Sequence, residues 1–198
     1  MCNLVLLQVM VASSSMQGWR VSMEDAHQHI LHLSPEDPKA SYFGVFDGHG
    51  GAKVAKYSSI HLHRHILKRP EYKNGDIADA IREGFLECDR AMKENEELKD
   101  EMAGATAIIA LIKGDRLWCG NAGDSRCIGG VGGKAVPLSN DHKPNDPKER
   151  DRIVSAGGFV EFNRVNGNLA LSRALGDFLF KMNDGLPQVR WCRGYRGY

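Results

Sequence analysis

The sequence predicts an α+β fold built on antiparallel strands, and three observations carry that prediction. Short apolar stretches at residues 106–112, 116–121 and 125–131 are separated by Lys113-Gly114-Asp115 and Ala122-Gly123-Asp124, the pattern of an antiparallel meander. Within residues 76–93, Ile77, Ile81, Phe85, Cys88 and Met92 recur at helical spacing, and Asp76 is placed to cap that helix. Upstream, the apolar strand Phe43-Gly44-Val45-Phe46 runs straight into Asp47-Gly48-His49-Gly50-Gly51. A strand ending in such a turn presents an acid and a histidine at a sheet rim, where glycines let backbone carbonyls approach an ion or a phosphate.

Taken in order, the elements begin with residues 1–12, an apolar run whose Val and Leu content predicts a strand. It has no basic segment ahead of it, as a secretory signal would, and it is too short to span a bilayer. Cys2 stands where myristoylation would need Gly. Gly18-Trp19-Arg20-Val21-Ser22-Met23-Glu24-Asp25 forms a polar connection ending in adjacent acids, and residues 26–33 read as extended. Ser34-Pro35-Glu36-Asp37-Pro38 is a turn, because its two prolines would break either ladder, so residues 42–47 complete a hairpin.

Residues 52–67 carry Ala55, Leu62 and Ile66 at helical spacing, with the helix N-terminus facing the Asp47 turn. The charged stretch 95–101 is a solvated linker. Gly129-Gly130-Val131-Gly132-Gly133-Lys134 lacks the first glycine and the Ser/Thr of a phosphate loop and reads as a hairpin turn. Pro147 after Asn145-Asp146 opens a helix that Gly157-Gly158 closes. Asn166-Gly167 predicts a two-residue hairpin between residues 159–165 and 168–172.

Composition limits the partners. The 198 residues fit one domain or a large part of one, and 42% hydrophobic residues suffice for a core. With 26 basic against 25 acidic residues, no global field favours nucleic acid or an anionic membrane, so neither is an expected partner. Any anion must be held by local arrangement. Five scattered cysteines without a C-x-x-C pair fit reduced thiols and a cytoplasmic or nuclear setting, and a monomer is expected.

The chemistry lies in acids at strand ends and turns: Glu24, Asp25, Asp47, Asp124, Asp141 and Asp177. One such acid is ordinarily a turn former, but together they make a hard oxygen donor set that selects Mg²⁺ or Mn²⁺ over Zn²⁺. Arg20 offers a planar fork for phosphate, and His49 titrates in a range suited to proton transfer. His61, His63 and His65 alternate along a helix, where only His61 and His65 share a face, and they read as solvated. His142 reads as a loop residue exposed to solvent.

The ordered series Gly18-Trp19-Arg20 with Met23-Glu24-Asp25, Phe46-Asp47-Gly48-His49-Gly50-Gly51, Gly104-Ala105-Thr106-Ala107, Asn121-Ala122-Gly123-Asp124-Ser125-Arg126, Asp141-His142-Lys143-Pro144 and Ser172-Arg173-Ala174-Leu175-Gly176-Asp177 resembles the PPM-type metal-dependent serine/threonine phosphatases, protein phosphatase 2C. The likeness covers residues 14–180, with residues 1–13 a divergent N-terminal strand and 181–198 a divergent tail. It implies a sandwich of two antiparallel β-sheets flanked by helices, two Mg²⁺ or Mn²⁺ ions per complete site, and phosphoserine or phosphothreonine proteins as substrates. By the same resemblance, Asp47 would bridge the ions, and Glu24 with the Gly48 carbonyl would hold the second. Asp25 would orient the attacking water, Asp141 would help hold a third, weaker ion, Arg20 would grip phosphate and His49 would protonate the departing oxygen.

The resemblance also implies further strands and two later aspartates, in Asp-Gly and Asp-Asn motifs, that complete the first ion site. After Asp177 this sequence runs through Asp184-Gly185, which lacks a preceding apolar strand, and contains no Asp-Asn motif. The fold is therefore expected without its C-terminal strands and catalysis is expected to be impaired. A phosphatase-like module that binds phosphoproteins without turnover, and a structural sandwich with no site, stand as alternatives.

Overall fold

Alternation along one strand sets the layering: in Ala40–Phe46, Tyr42 and Phe46 are fully buried while Val45 is half-exposed. Such a strand packs one face on a core and leaves the other open. The computed structural model describes residues 9–182 and the backbone of a strand at residues 195–197. Its elements are β1 (Ala26–Ile30), β2 (Ala40–Phe46), β3 (Gly48–His49), α1 (Lys53–Lys68), α2 (Pro70–Lys73), α3 (Ile77–Glu94), β4 (Gly104–Ala105), β5 (Ala107–Lys113), β6 (Arg116–Ala122), β7 (Ile128–Val131), β8 (Lys134–Pro137), α4 (Pro147–Ser155), β9 (Val160–Glu161), β10 (Arg164–Val165), β11 (Leu175–Gly176) and β12 (Tyr195–Gly197).

The main sheet is antiparallel, in the order β1-β2-β5-β6-β12, and a small sheet, β11-β4-β3, takes up the chain where β2 and β5 end. On the closed face, Tyr42, Phe46, Ile109 and Leu111 form one core with Leu62 and Ile66 of α1 and Ile81, Phe85 and Met92 of α3. Asp76 caps α3 as the sequence predicts, accepting from the Asp79 amide. This is the expected α+β arrangement of antiparallel sheets and helices.

Local departures have physical reasons. Residues 1–8 of the expected N-terminal strand lie outside the described residues, as does Asp184-Gly185, and residues 9–12 form no strand. The third meander strand leaves the main sheet and pairs with β8 around the Gly132-Gly133 turn. It is drawn away at Gly123 and Ser125: the His142 amide donates to the Gly123 carbonyl at 2.9 Å, and the Thr106 and Ser125 hydroxyls stand 2.6 Å apart. The Asn166-Gly167 turn forms as expected, both residues at positive φ, with an antiparallel bridge between Val165 and Leu169, and a further tight turn at Phe162-Asn163 joins β9 to β10. Asn166 also accepts the Phe159 amide through Oδ1 at 3.0 Å. In the stretch read as a divergent tail, β12 adds an edge strand to β6.

The crossing of α1 and α3 depends on Gly84. A Cβ there would stand 2.9 Å from the Ile66 Cα. Alanine would gain about 1 kcal/mol of helix propensity, but backbone this close cannot yield cheaply, and overpacking costs about 1–3 kcal/mol. Gly84→Ala is expected to destabilise the fold by urea denaturation; a stabilised variant would show that the helices can part.

Candidate active site

The Asp47 turn is pinned before any ligand arrives. The Asp47 amide lies 3.1 Å from the Thr106 hydroxyl, to which it donates, and the Thr106 amide donates back to the Asp47 carbonyl at 2.9 Å. These reciprocal bonds fix the end of β2 against the start of β5. The chain then passes directly under Glu24: a Cβ on Gly48 would fall inside van der Waals contact with the Glu24 carbonyl oxygen. Only glycine permits that approach. The packing thus sets the Glu24 backbone against Gly48, while the Glu24 carboxylate accepts from the Ser22 hydroxyl at 3.0 Å.

Charges converge on Asp47. Its side chain reaches solvent, yet desolvation raises its pKa, and the charges of Asp25 and Asp124 raise it further against the pull of His49 and Arg20. Four of the residues singled out from sequence, Asp47, Asp25, His49 and Arg20, therefore act on one another here, and Glu24 acts on His49. Arg20 is exposed, with its carbonyl held by the Gln17 side chain at 2.8 Å, so its guanidinium is presented to solvent.

His49, on β3, faces a partner that the sequence offered only as one of several candidate oxygen donors. Its Nε2 lies 2.8 Å from Oδ2 of Asp177, a residue only 4% exposed and in the left-handed conformation. Burial works to lower the His49 pKa, but the Asp177 hydrogen bond and the charges of Asp177, Asp47 and Glu24 raise it overall. The two side chains meet over Gly104, where any Cβ would collide with both. Asp177 closes the Ser172–Asp177 motif, and that motif, with its place at a turn, was the signal for it in the sequence.

Asp141 is engaged by a neighbouring side chain. Both its oxygens are taken by Arg126, at 2.9 Å from Nε and 2.9 Å from Nη2, and that pair holds its pKa down. It is Asp124, paired with Lys143, whose charge reaches Asp47. His142 is buried rather than exposed: its Nδ1 accepts the Gly123 amide at 3.2 Å, and burial lowers its pKa to about 4. His61 stacks on Tyr57 with ring centroids 4.2 Å apart.

Behind the site stands a buried network that the sequence did not disclose, because Glu149 reads there as one more charge on a polar helix. Glu149 accepts from the Ser172 hydroxyl at 2.8 Å and from Arg173 Nε and Arg152 Nη2, each at 2.9 Å. Burial alone would raise its pKa; Arg173 and Arg152 prevail and hold it at about 2.

The donor set suits a hard cation. Carboxylates crowded enough to raise Asp47 are relieved by a divalent ion, and carboxylate and carbonyl oxygens are what Mg²⁺ and Mn²⁺ accept. Among the described residues, no three His, Cys, Asp or Glu side chains already stand in ion-holding geometry. Asp25 and Asp124 are brought near Asp47, and Glu24 lies with its backbone against Gly48, without being closed around a point.

Comparison with known proteins agrees with the fold and the order of motifs. The protein phosphatase 2C family profile matches residues 9–192. The chain is 57% identical over 178 residues to a probable protein phosphatase 2C of Caenorhabditis elegans, covering 90% of this chain and 50% of that protein. It is 52% identical over 175 residues to protein phosphatase 2C homolog 2 of Hypocrea jecorina, covering 85% and 40%. The chain thus spans about half the length of the curated relatives it matches. Among solved structures, a phosphatase from Toxoplasma gondii superposes with a TM-score of 0.77 at 27% identity, over 90% of this chain and 69% of that one.

Since the Glu149 pKa is depressed on folding, its stabilising contribution is complete above the unfolded carboxylate value and is lost as pH falls toward about 2. Glu149→Gln leaves two buried guanidinium groups undercompensated and is expected to cost about 3 kcal/mol at neutral pH. Thermal unfolding from pH 7 down to pH 2 should show the gap between the two proteins narrowing below about pH 4; a constant gap would mean that the charge of Glu149 is immaterial.

Proposed function

We propose, from the premise that this chain belongs to the protein phosphatase 2C family, that it acts in metal-dependent hydrolysis of phosphoserine and phosphothreonine in proteins. The observation that carries this reading is the convergence of Asp25, Asp124, His49 and Arg20 on Asp47. Asp47, Glu24 and the Gly48 carbonyl are the groups we assign to two Mg²⁺ or Mn²⁺ ions. When bound, such ions supply Lewis acidity toward phosphoryl oxygens and make water a better nucleophile at neutral pH.

The chain's own residues supply the rest. Arg20, exposed beside the acids, presents its fork to the phosphoryl oxygens and sets the orientation of the phosphate. Asp25 accepts from the attacking water and aligns it with phosphorus. Asp177 and the other acidic neighbours of His49 raise its pKa against the pull of burial and so favour its charged form. With Nε2 committed to Asp177, Nδ1 carries the proton that passes to the departing Ser or Thr oxygen as its bond to phosphorus breaks. For the third, weaker ion we assign Asp124 ahead of Asp141, because Asp124 acts on Asp47 whereas both Asp141 oxygens are engaged by Arg126.

Of the acids that the family resemblance implies for the first ion, only Asp47 lies within these 198 residues. The second reading is recognition of phosphoproteins through Arg20 and one ion without turnover. Mn²⁺-dependent phosphate release from a phosphothreonine peptide separates the two. The chain as it stands is expected near background, and a chimera extended with the C-terminal half of the Caenorhabditis elegans relative is expected to be active. In the chimera, Asp47→Asn should abolish release and His49→Gln should lower it by about 10²–10⁴-fold. Equal rates in all these proteins would remove Asp47 and His49 from the reaction.

A further inference from the structure

We propose that the solvent face of α1 is a docking surface for an extended acidic segment of the phosphoprotein substrate. Its row Lys56, Ile60, Arg64 and Lys68 would meet alternate side chains of that segment in the order acid, apolar, acid, acid. The inference deepens the phosphoprotein reading and rests on it for the identity of the segment. The helix begins four residues after His49, so the row starts close to the turn that carries the site and runs away from it. Val54, Ala55, Leu62 and Ile66 pack inward, while Lys56, Arg64 and Lys68 are exposed and Ile60 is 48% exposed among them. The family's sandwich flanks its sheets with helices, so a second sheet would meet the main sheet on the face opposite α1 and leave this row outside.

The row is uncompensated. No Asp or Glu occurs in α1. Lys53 pairs with Glu101 at 2.9 Å, whereas Lys56, Arg64 and Lys68 make no ion pair among the described residues. Burial, and then the charges of Arg64 and Lys68, lower the pKa of His61, so the field of the row is felt by an adjacent ring. Residues four apart on a helix rise about 6 Å. Alternate residues of an extended chain rise about 6.6–6.8 Å. An extended peptide lying along α1 therefore sets every second side chain against successive members of the row, with an apolar one over Ile60. A single half-exposed isoleucine offers too little apolar surface for insertion into a bilayer. The net charge of +1 supplies no wider field for nucleic acid or an anionic membrane, so the ligand that matches the row is a short acidic peptide. Exposed ion pairs are individually weak, and the affinity comes from three of them in register and falls with salt.

The test is fluorescence anisotropy of labelled, unphosphorylated peptides of the order Glu-Ser-Leu-Ser-Glu-Ser-Glu and its reverse, added to the whole chain without metal. Failure of the docking surface and failure of the phosphatase reading are then separate results. At least one peptide is expected to bind, and Gln in place of each Glu should remove the binding. The double change Lys56→Glu with Arg64→Glu should weaken it by about tenfold or more, because like charges then face one another. Lys134→Glu, on the exposed β7–β8 hairpin, should leave it unchanged. In the unaltered chain the peptide should shift the amide resonances of α1 before those of other elements, a readout free of any folding defect in a variant. In the C-terminally extended chimera, the double change should raise KM for a phosphothreonine peptide carrying the segment and leave kcat unaltered. The proposal is overturned if neither peptide binds, if the Gln peptide binds equally, if the first shifted resonances lie off α1, or if KM is unmoved. It is equally overturned if phosphatidylserine vesicles or single-stranded RNA occupy the row more tightly than either peptide.

Discussion

The contact between His49 and Asp177 joins residues 128 apart in sequence, and the arrangement of the site depends on it. It requires a glycine at position 104, because the two side chains meet where a Cβ would otherwise stand. It also requires the chain after β11 to turn sharply, which Gly176 and Asp177 do with φ of 73° and 50°. Asp89, buried on α3, secures that turn by accepting the Gly176 amide at 2.8 Å and pairing with Lys181. Glu149 secures the preceding residues through Ser172 and Arg173. The His49–Asp177 contact is thus set by two buried carboxylates, Asp89 and Glu149. Buried charges are costly unless paired and hydrogen-bonded, and both of these are.

The acid cluster obeys the opposite logic. Asp25, Asp47 and Asp124 lie close enough to raise Asp47, and the nearby positive groups do not fully offset them. Folding therefore works against repulsion to gather these carboxylates, and the reciprocal bonds between Asp47 and Thr106 are part of what holds them together. A divalent cation would convert that repulsion into attraction.

Much of this was legible in the sequence. The helices α1 and α3 were, because apolar spacing is a local signal and their packing follows it. The Asp47 turn was legible too, since a strand running into Asp-Gly-His-Gly-Gly has few other uses. What escaped was set by contacts distant in sequence. The third meander strand was misplaced because hydrogen bonds from Thr106 and His142 redirect it, and neither is visible in its own residues. The Asn166-Gly167 turn was legible, but the additional turn at Phe162-Asn163 between β9 and β10 was not, because Phe-Asn carries little turn signal of its own. The two-point bond of Arg126 to Asp141 was likewise hidden, since it joins residues 15 apart.

The two faces of the main sheet give these observations a common geometry. Among the described residues, helices close the side carrying Tyr42, Phe46, Ile109 and Leu111, and strand alternation sends Phe43, Val45, Ile108 and Ala110 to the other. The same alternation along the first strand carries His27 and His29 to that second side, and the chain entering the strand places Asp25 beside Asp47. Which residues reach the Asp47 rim and which line the sheet is thus decided by the period of the strands.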